Sequence, residues 1–408
     1  MSVPLDRLYN FLQDIASRDD LIIYRFFPHG SKKITDLRKM LPSARVQLEN
    51  WTTPVKDVMN KKYVFMHDQE PLNFDLYSSV EFADQLVQQN RVGLSDEYLV
   101  EMYKSLLILQ MPELNIKMAE MRDDLWKIPV LLVHSEQRSQ NLQRYESIDF
   151  IGVYWWCHAI IARDWFRYAE HDCLLKNRAP QKDFLIYNRA WSGTREYRLK
   201  FAELLVDNQL SEHCVMGFNS DDSGDYRQHK FQNPTLQIQR QDLEKYFFYN
   251  DTPSSASADY NSIDYRSTEL EVVLETLFDD DRLQLTEKIL RPIACGHPFI
   301  LVSTMGSLEY LRQYGFKTFD PIIIETYDTI LDPADRLRAV VTELQRIASL
   351  GSTEKQKLYA DLREIARYNQ ELFFSTEWQS SIINEYQENF KLAMEQLTQQ
   401  HTLIINQF

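Results

Sequence analysis

The chain has 408 residues, of which 44% are hydrophobic and 26% charged, and its formal net charge is −15. Such a composition belongs to a folded globular protein, and the length exceeds what a single hydrophobic core usually serves, so two domains are expected. The acidic balance argues against a general nucleic-acid coat, which needs a basic surface, but leaves room for a local basic cleft on an acidic body.

Read in chain order, short β-rich apolar runs alternate with longer helical ones, the pattern of parallel α/β sheets. A helix over 4–17 is followed by a strand, "LIIYRFF" (21–27). The next strand is "YVFMH" (63–67), then a helix over 96–110, then "VLLVH" (130–134). A helix over 157–170 follows, and the polar "LKNRAPQKD" (175–183) precedes "FLIYN" (184–188), which places a domain break there. Beyond it come a helix over 195–208, the loop-like stretches 219–228 and 249–262, and the strands "ELEVVLET" (269–276) and "PFILVS" (298–303). Helices are expected over 285–295, 306–313 and 333–349, and 353–398 is helical with little interruption. The resulting domains are 1–178, 179–350 and a helical segment over 351–408 that packs back on the first. Two α/β halves facing across a cleft would hold a ligand at the carboxyl ends of their strands.

No apolar run reaches the roughly 20 residues needed to span a bilayer. The N-terminal "MSVPLDRLYNFLQDIASRDD" lacks the apolar core of a secretory signal, so a cytoplasmic protein is expected. Cys157, Cys173, Cys214 and Cys295 lie far apart and read as reduced core thiols. Neither GxGxxG nor GxxxxGK[ST] occurs among the 10 glycines, so the usual dinucleotide and P-loop signatures are missing.

Four stretches carry candidate chemistry. In "LTEKILRPIACGHPFIL", Thr286 sits where a helix starts and can cap its free N–H groups, while Glu287 complements the positive helix end. That cap is one reading; the other adds Lys288, since a lysine beside a helix N-terminus makes a phosphate site and a neighbouring carboxylate can accept ribose hydroxyls. In "FLIYNRAWSGTREYRLKF", Arg189, Arg195 and Arg198 suit bidentate binding of diphosphate oxygens, or else form a solvated basic face. In "YVFMHDQEPLNFDLY", a strand runs into His67, Asp68, Gln69 and Glu70, where either carboxylate can act as general base. In "YWWCHAIIARDWFRYAEHD", aromatic residues share a helix with Arg163, a core stripe or a ligand platform that brings in Trp155 and Arg163. His158 and His171 are not spaced as metal ligands, and Asp279–Asp281 reads as a solvated turn, so no metal and no cofactor are expected.

In order, these stretches resemble the α-1,3-fucosyltransferase group of GT-B glycosyltransferases. "LTEKILRPIACGHPFIL" looks like that family's donor-site signature, the helix after "FLIYN" matches its R-x-x-F at Arg198 and Phe201, and "HDQEPLNFDLY" is similar to its E-S-P-N-F-N-L segment. The phrases "HDQEPL", "HAIIARDW", "FLIYNRAWSGTREYRLKF" and "YGFKTFD" look closer still to the fucosyltransferase-like proteins of tailed bacteriophages, over about residues 60–345.

The resemblance implies a GT-B-like architecture of two Rossmann-like domains and a nucleotide-sugar donor. The first domain would serve the acceptor and the second the donor. Arg198 and Lys288 would hold the diphosphate, with Arg195, Arg189, Thr286 and Glu275 around them, and Glu287 would bind the ribose. Glu70, with Asp68 beside it, would be the base; His67, Gln69, Trp155 and Arg163 would face the acceptor. Inverting, metal-independent transfer is implied. The best acceptor for an unanchored phage enzyme in the host cytoplasm is a hydroxymethylated pyrimidine in DNA, the runner-up a glycan or protein. A non-catalytic GT-B-like binding protein is the reading from another class. The chain departs from the family at Gln284, where an aromatic residue is usual, and at Glu275-Thr276, which replaces a Glu-Asn pair, so GDP-fucose is not carried over as donor.

Overall fold

The computed structural model describes residues 21–26, 34–36, 62–67, 71–72, 130–146, 150–188, 195–218 and 259–405. The expected helices over 4–17 and 96–110, the loop 219–228, most of the loop 249–262, and Asp68, Gln69, Glu70 and Arg189 lie outside them. The chain divides into two compact units: one comprises His158–Ile382, the other the described residues before and after it.

In the unit outside His158–Ile382, five strands form one sheet: β1 (Leu21–Phe26), β2 (Ile34–Asp36), β3 (Lys62–His67), β4 (Val130–His134) and β5 (Phe150–Tyr154). Their spatial order is β2-β1-β3-β4-β5; β1, β3, β4 and β5 run parallel and β2 antiparallel on the edge. Helix α1 (Gln140–Glu146) follows β4. β5 was not expected from the sequence, because "FIGVY" carries a glycine in mid-strand, which usually weakens a strand. At Gly152 a Cβ would lie 2.9 Å from Leu142 Cδ1 and 3.2 Å from His134 Nε2, so a larger residue there would push those side chains aside. Register places His67 beside His134 at the carboxyl ends of β3 and β4.

The unit His158–Ile382 is built on a four-stranded sheet of β6 (Lys182–Asn188), β7 (Cys214–Phe218), β8 (Thr268–Leu274) and β9 (Phe299–Val302). All are parallel, in the order β7-β6-β8-β9. β8 and β9 are buried along almost their whole length, as parallel strands covered on both faces are. Helix α2 (Cys157–Trp165) leads into this unit, and the four-residue α3 (Cys173–Lys176) follows. Helix α4 (Tyr197–Asp207) crosses from β6 to β7, α5 (Ser262–Ser267) precedes β8, and α6 (Glu287–Ala294) crosses from β8 to β9. The polar stretch 175–183 lies inside this unit, where Ala179 and Gln181 donate backbone bonds to Arg266 and Ser267 at 2.9 and 2.7 Å.

Helices α7 (Ser307–Gln313), α8 (Pro333–Ser349), α9 (Ser352–Phe374) and α10 (Thr376–Ile405) complete the chain. The long helical run expected over 353–398 is thus two helices, broken at Ser375 in an extended conformation. Within the unit outside His158–Ile382, α10 reaches the end of β5: Asn389 Nδ2 donates to the Tyr154 carbonyl at 3.1 Å, and Tyr386 packs on Trp155 with ring centroids 4.9 Å apart. No helix of the described residues is long and apolar enough to cross a membrane. All four cysteines are free; Cys157 and Cys295 are buried as expected, but Cys173 is exposed.

Candidate functional site

The carboxyl end of β8 and the start of α6 form one hydrogen-bonded unit. β8 ends at Leu274, and Glu275 and Thr276 follow it into the turn, both buried. The Glu275 carboxylate reaches across to Thr286, accepting its backbone N–H at 3.1 Å and its hydroxyl at 2.7 Å. It also accepts the N–H of Thr276 at 3.2 Å. Thr286 is the N-cap of α6: its backbone is extended, and its hydroxyl oxygen accepts the N–H of Lys288 at 3.3 Å. The cap expected from the sequence is therefore present, with the residue after the strand holding the capping hydroxyl in place.

The two charged residues of the first turn face the same place. Lys288 Nζ lies 3.1 Å from Thr286 Oγ1, 3.4 Å from Thr276 Oγ1 and 3.2 Å from Glu287 Oε1, with its side chain 21% exposed. Glu287 is buried, and its second carboxylate oxygen lies 3.5 Å from His158 Nε2 on the first turn of α2. Burial pushes the Glu287 carboxyl up, but Lys288, His158 and hydrogen bonding outweigh it and hold it at about 2. Glu287 is thus an ionised carboxylate with a cation on one oxygen and an imidazole on the other.

Behind this turn stands Arg198, buried on α4. One guanidinium nitrogen donates to the carbonyls of Leu274 and Glu275, at 2.7 and 2.8 Å, and the Tyr197 hydroxyl donates to the Glu275 carbonyl at 2.5 Å. Arg198 and Tyr197 thereby clamp the last peptide groups of β8, so the arginine acts as part of the wall that carries Glu275. Arg195 is also buried, immediately before α4. Asn188, at the end of β6, donates to the Arg198 carbonyl at 3.3 Å, and its side-chain oxygen is buried with no partner among the described residues.

Of the sequence-derived candidates, Glu275, Thr286, Glu287, Lys288 and Arg198 are thus brought together. Arg163 sits elsewhere in the same unit. It donates to the Phe373 carbonyl at 2.8 Å and to Gln379 at 3.1 Å, and lies over the rings of Phe373 and Phe374. In the unit outside His158–Ile382, Trp155 is fully buried beside Tyr386, and His67 Nε2 lies 3.0 Å from the Pro71 carbonyl oxygen. The Asp279–Asp281 turn is not simply solvated: Asp280 accepts the Arg282 guanidinium at 2.6 and 3.0 Å. Among the described residues, no three His, Cys, Asp or Glu side chains come together as metal ligands.

Two members of the site are not evident from the sequence: His158, whose spacing there speaks only against a metal ligand, and Thr276, which stands out only as a departure from the family pattern. The signal for His158 was its place on the first turn of a helix directly after a strand, but its partner Glu287 lies 129 positions away in sequence, beyond any local spacing rule.

No family model matches the sequence, and no curated protein matches it. Among solved structures, T4 phage BGT in complex with UDP and Mn2+ superposes with a TM-score of 0.35 at 12% identity, over 92% of this chain and 85% of that one.

Proposed function

We propose that this protein is a glycosyltransferase that takes a sugar from a nucleoside diphosphate donor. The observation that carries the reading is Glu287: an ionised carboxylate at a helix start, fixed between Lys288 and His158 at the carboxyl end of a parallel strand. A carboxylate has about four acceptor positions, so Glu287 can take ribose hydroxyls without giving up its cation. The first N–H groups of α6 and the partly exposed Lys288 offer positive charge to the diphosphate beside it.

Transfer on this reading is inverting and needs no metal. The acceptor oxygen attacks the anomeric carbon while the bond from that carbon to the distal phosphate oxygen breaks. The acceptor proton passes to Glu70, assisted by Asp68, and the nucleoside diphosphate leaves with the bonding pair. Lys288 and the helix start offset the charge that builds on it, with Arg198, Arg195 and Arg189 adding to the positive field. The donor unit is the second of two Rossmann-like domains in a GT-B-like arrangement. His67 and Gln69 are assigned to the acceptor side, whereas Trp155 and Arg163, taken for it from the sequence, are used up inside the fold; the preferred acceptor is the hydroxymethyl group of a modified pyrimidine in phage DNA. What supports these finer assignments is the resemblance of the motifs.

Thermal-shift titration with UDP, GDP and their sugar conjugates tests the donor half. A stabilising shift is expected with at least one, lost in Lys288→Ala; equal shifts in wild type and variant overturn the diphosphate assignment. Mass analysis of nucleosides from hydroxymethylated DNA incubated with the enzyme and the best donor tests the acceptor. Glycosylated nucleoside is expected with wild type and not with Glu70→Gln.

A further inference from the structure

We propose that His158 is the positioning residue for the donor's ribose, fixing the plane of the Glu287 carboxylate so that it meets the two ribose hydroxyls. The inference rests on the donor-site reading above and adds to it a residue to which the motif resemblance gives no role.

The argument starts from the carboxylate itself. The last torsion of a glutamate, between an sp³ and an sp² carbon, is broad and nearly two-fold, so the chain alone does not orient the two oxygens. Two hydroxyls on adjacent ribose carbons need both the position and the plane of the acceptor to be set beforehand. Two side chains hold the Glu287 carboxylate, beside its own backbone N–H: Lys288 Nζ at 3.2 Å from Oε1, and His158 Nε2 at 3.5 Å from Oε2. These holders are not equivalent. Lys288 is a point charge on a flexible four-carbon stem, partly exposed, and is shared with Thr276 and Thr286. When a diphosphate arrives, that ammonium has a stronger anion to turn to.

His158 has no such freedom. It is 3% exposed and sits on the first turn of α2, whose next residues Ala159, Ile160, Ile161 and Ala162 are buried to 1% or less. Its ring is carried by a helix packed into the core, and its reach to Glu287 is fixed by that packing. With donor bound, Lys288 serves the diphosphate and His158 is the side chain that keeps the carboxylate aligned on the ribose. The role is one of orientation, so its loss is felt where the ribose hydroxyls are read.

The test is isothermal titration of the full-length protein with UDP, GDP and their 2′,3′-dideoxy counterparts, using whichever base wild type binds. Wild type should prefer the ribo form, and Glu287→Gln should reduce that preference. His158→Leu should reduce it by about tenfold while binding the dideoxy form as wild type does, and His158→Gln, which can still donate a hydrogen bond, should restore most of it. A merely structural role would weaken both forms alike. If His158→Leu does not fold, His158→Asn, too short to reach Glu287, takes its place. Equal weakening of both forms, or an unchanged preference, overturns the role of His158. Failure of the donor-site reading looks different: wild type binds neither diphosphate, or Glu287→Gln leaves the ribose preference intact.

Discussion

Glu275 and Thr286 are joined by two hydrogen bonds, from the Thr286 backbone N–H at 3.1 Å and from its hydroxyl at 2.7 Å. The residue after β8 thereby fixes the residue before α6, and the capping hydroxyl is itself held by a carboxylate. In Glu275→Ala the buried N–H of Thr286 loses its acceptor, and its hydroxyl is free to turn away from Lys288. A loss of about 1–3 kcal/mol is expected from the unsatisfied donor. Glu275→Gln, which keeps one carbonyl oxygen, should lose less. Calorimetric unfolding of the two variants checks this, and a Glu275→Ala protein as stable as wild type would show that the bridge carries no weight.

Glu287 makes a prediction about acid. Its folded carboxyl is held at about 2 against an ordinary value of 4.5, so the unfolded chain binds the extra proton between those values. Its contribution to stability is therefore fully present above pH 4.5 and is lost as the pH falls through about 2. The size is on the order of 3 kcal/mol. Chemical denaturation of wild type and Glu287→Gln between pH 5 and pH 2 should show a shallower acid slope in the variant. Parallel slopes would mean that Lys288 and His158 do not hold the carboxylate charged.

Much of the sheet framework was legible in the sequence, and the reason is burial. The runs "YVFMH", "VLLVH", "FLIYN" and "PFILVS" are continuous and apolar because parallel strands are covered on both faces, and the strands lie there. β5 and β7 escaped because each carries a glycine, in "FIGVY" and "CVMGF", and at β5 the glycine answers a crowding by Leu142 and His134 that no local pattern reveals. The cap at Thr286 was legible because capping is a contact between near neighbours. The Glu275 buttress, the grip of His158 and the clamp of Arg198 on β8 were not, since each joins residues that only the fold brings together.

His134 and Asp328 should titrate with opposite effects. Burial, with His67 beside it, lowers His134 to about 4, although a hydrogen bond with the Glu136 backbone works against this. Its contribution is present above pH 6.5 and lost as the pH falls through about 4. Burial raises the Asp328 carboxyl to about 6, against the hydrogen bond it accepts from the Leu308 N–H. Its contribution is present below pH 3.8 and lost as the pH rises through about 6. Compared with wild type, His134→Gln should therefore lose less stability between pH 6.5 and 4, and Asp328→Asn should lose less between pH 4 and 6 going upward. Denaturant titrations across that range decide both, and slopes of the same sign for the two variants would contradict the assignment.

Arg163 binds within the fold. Its guanidinium donates to the Phe373 carbonyl near the end of α9 and to Gln379 on α10, and it lies 5.3 Å from the centre of the Phe374 ring. Arg163→Ala should therefore cost about 1.5–3 kcal/mol, the usual range for a charge-assisted bond to a buried carbonyl. Thermal unfolding is the first check. If the variant were as stable as wild type and lost only acceptor affinity, its part would be recognition and the contacts to α9 and α10 incidental.

Arg291 and Glu271 form a buried ion pair in the unit His158–Ile382, and the effect of removing it should depend on which partner goes. Arg291, on α6, donates to Glu271 on β8 at 2.5 Å and to the Tyr265 hydroxyl at 3.0 Å, and lies over the Tyr187 ring at 4.5 Å. The Tyr265 hydroxyl donates to the other Glu271 oxygen, closing a ring of three side chains beneath the helix that carries Glu287. Arg291→Met leaves a fully buried carboxylate with only a phenol for company, and a loss of about 3–5 kcal/mol is expected. Glu271→Gln leaves a guanidinium with two hydrogen-bond partners and an aromatic face, so its loss should be smaller. The double variant, Glu271→Leu with Arg291→Met, removes both charges and should recover much of what Arg291→Met alone forfeits, because desolvation of the pair is then no longer required. A double variant less stable than either single one would mean that the pair is a net source of stability and not a device that fixes how α6 sits on β8. Nucleotide titration of the double variant then separates the two roles: if the ion pair sets the register of α6, the refolded core should bind diphosphate more weakly even where its stability has returned.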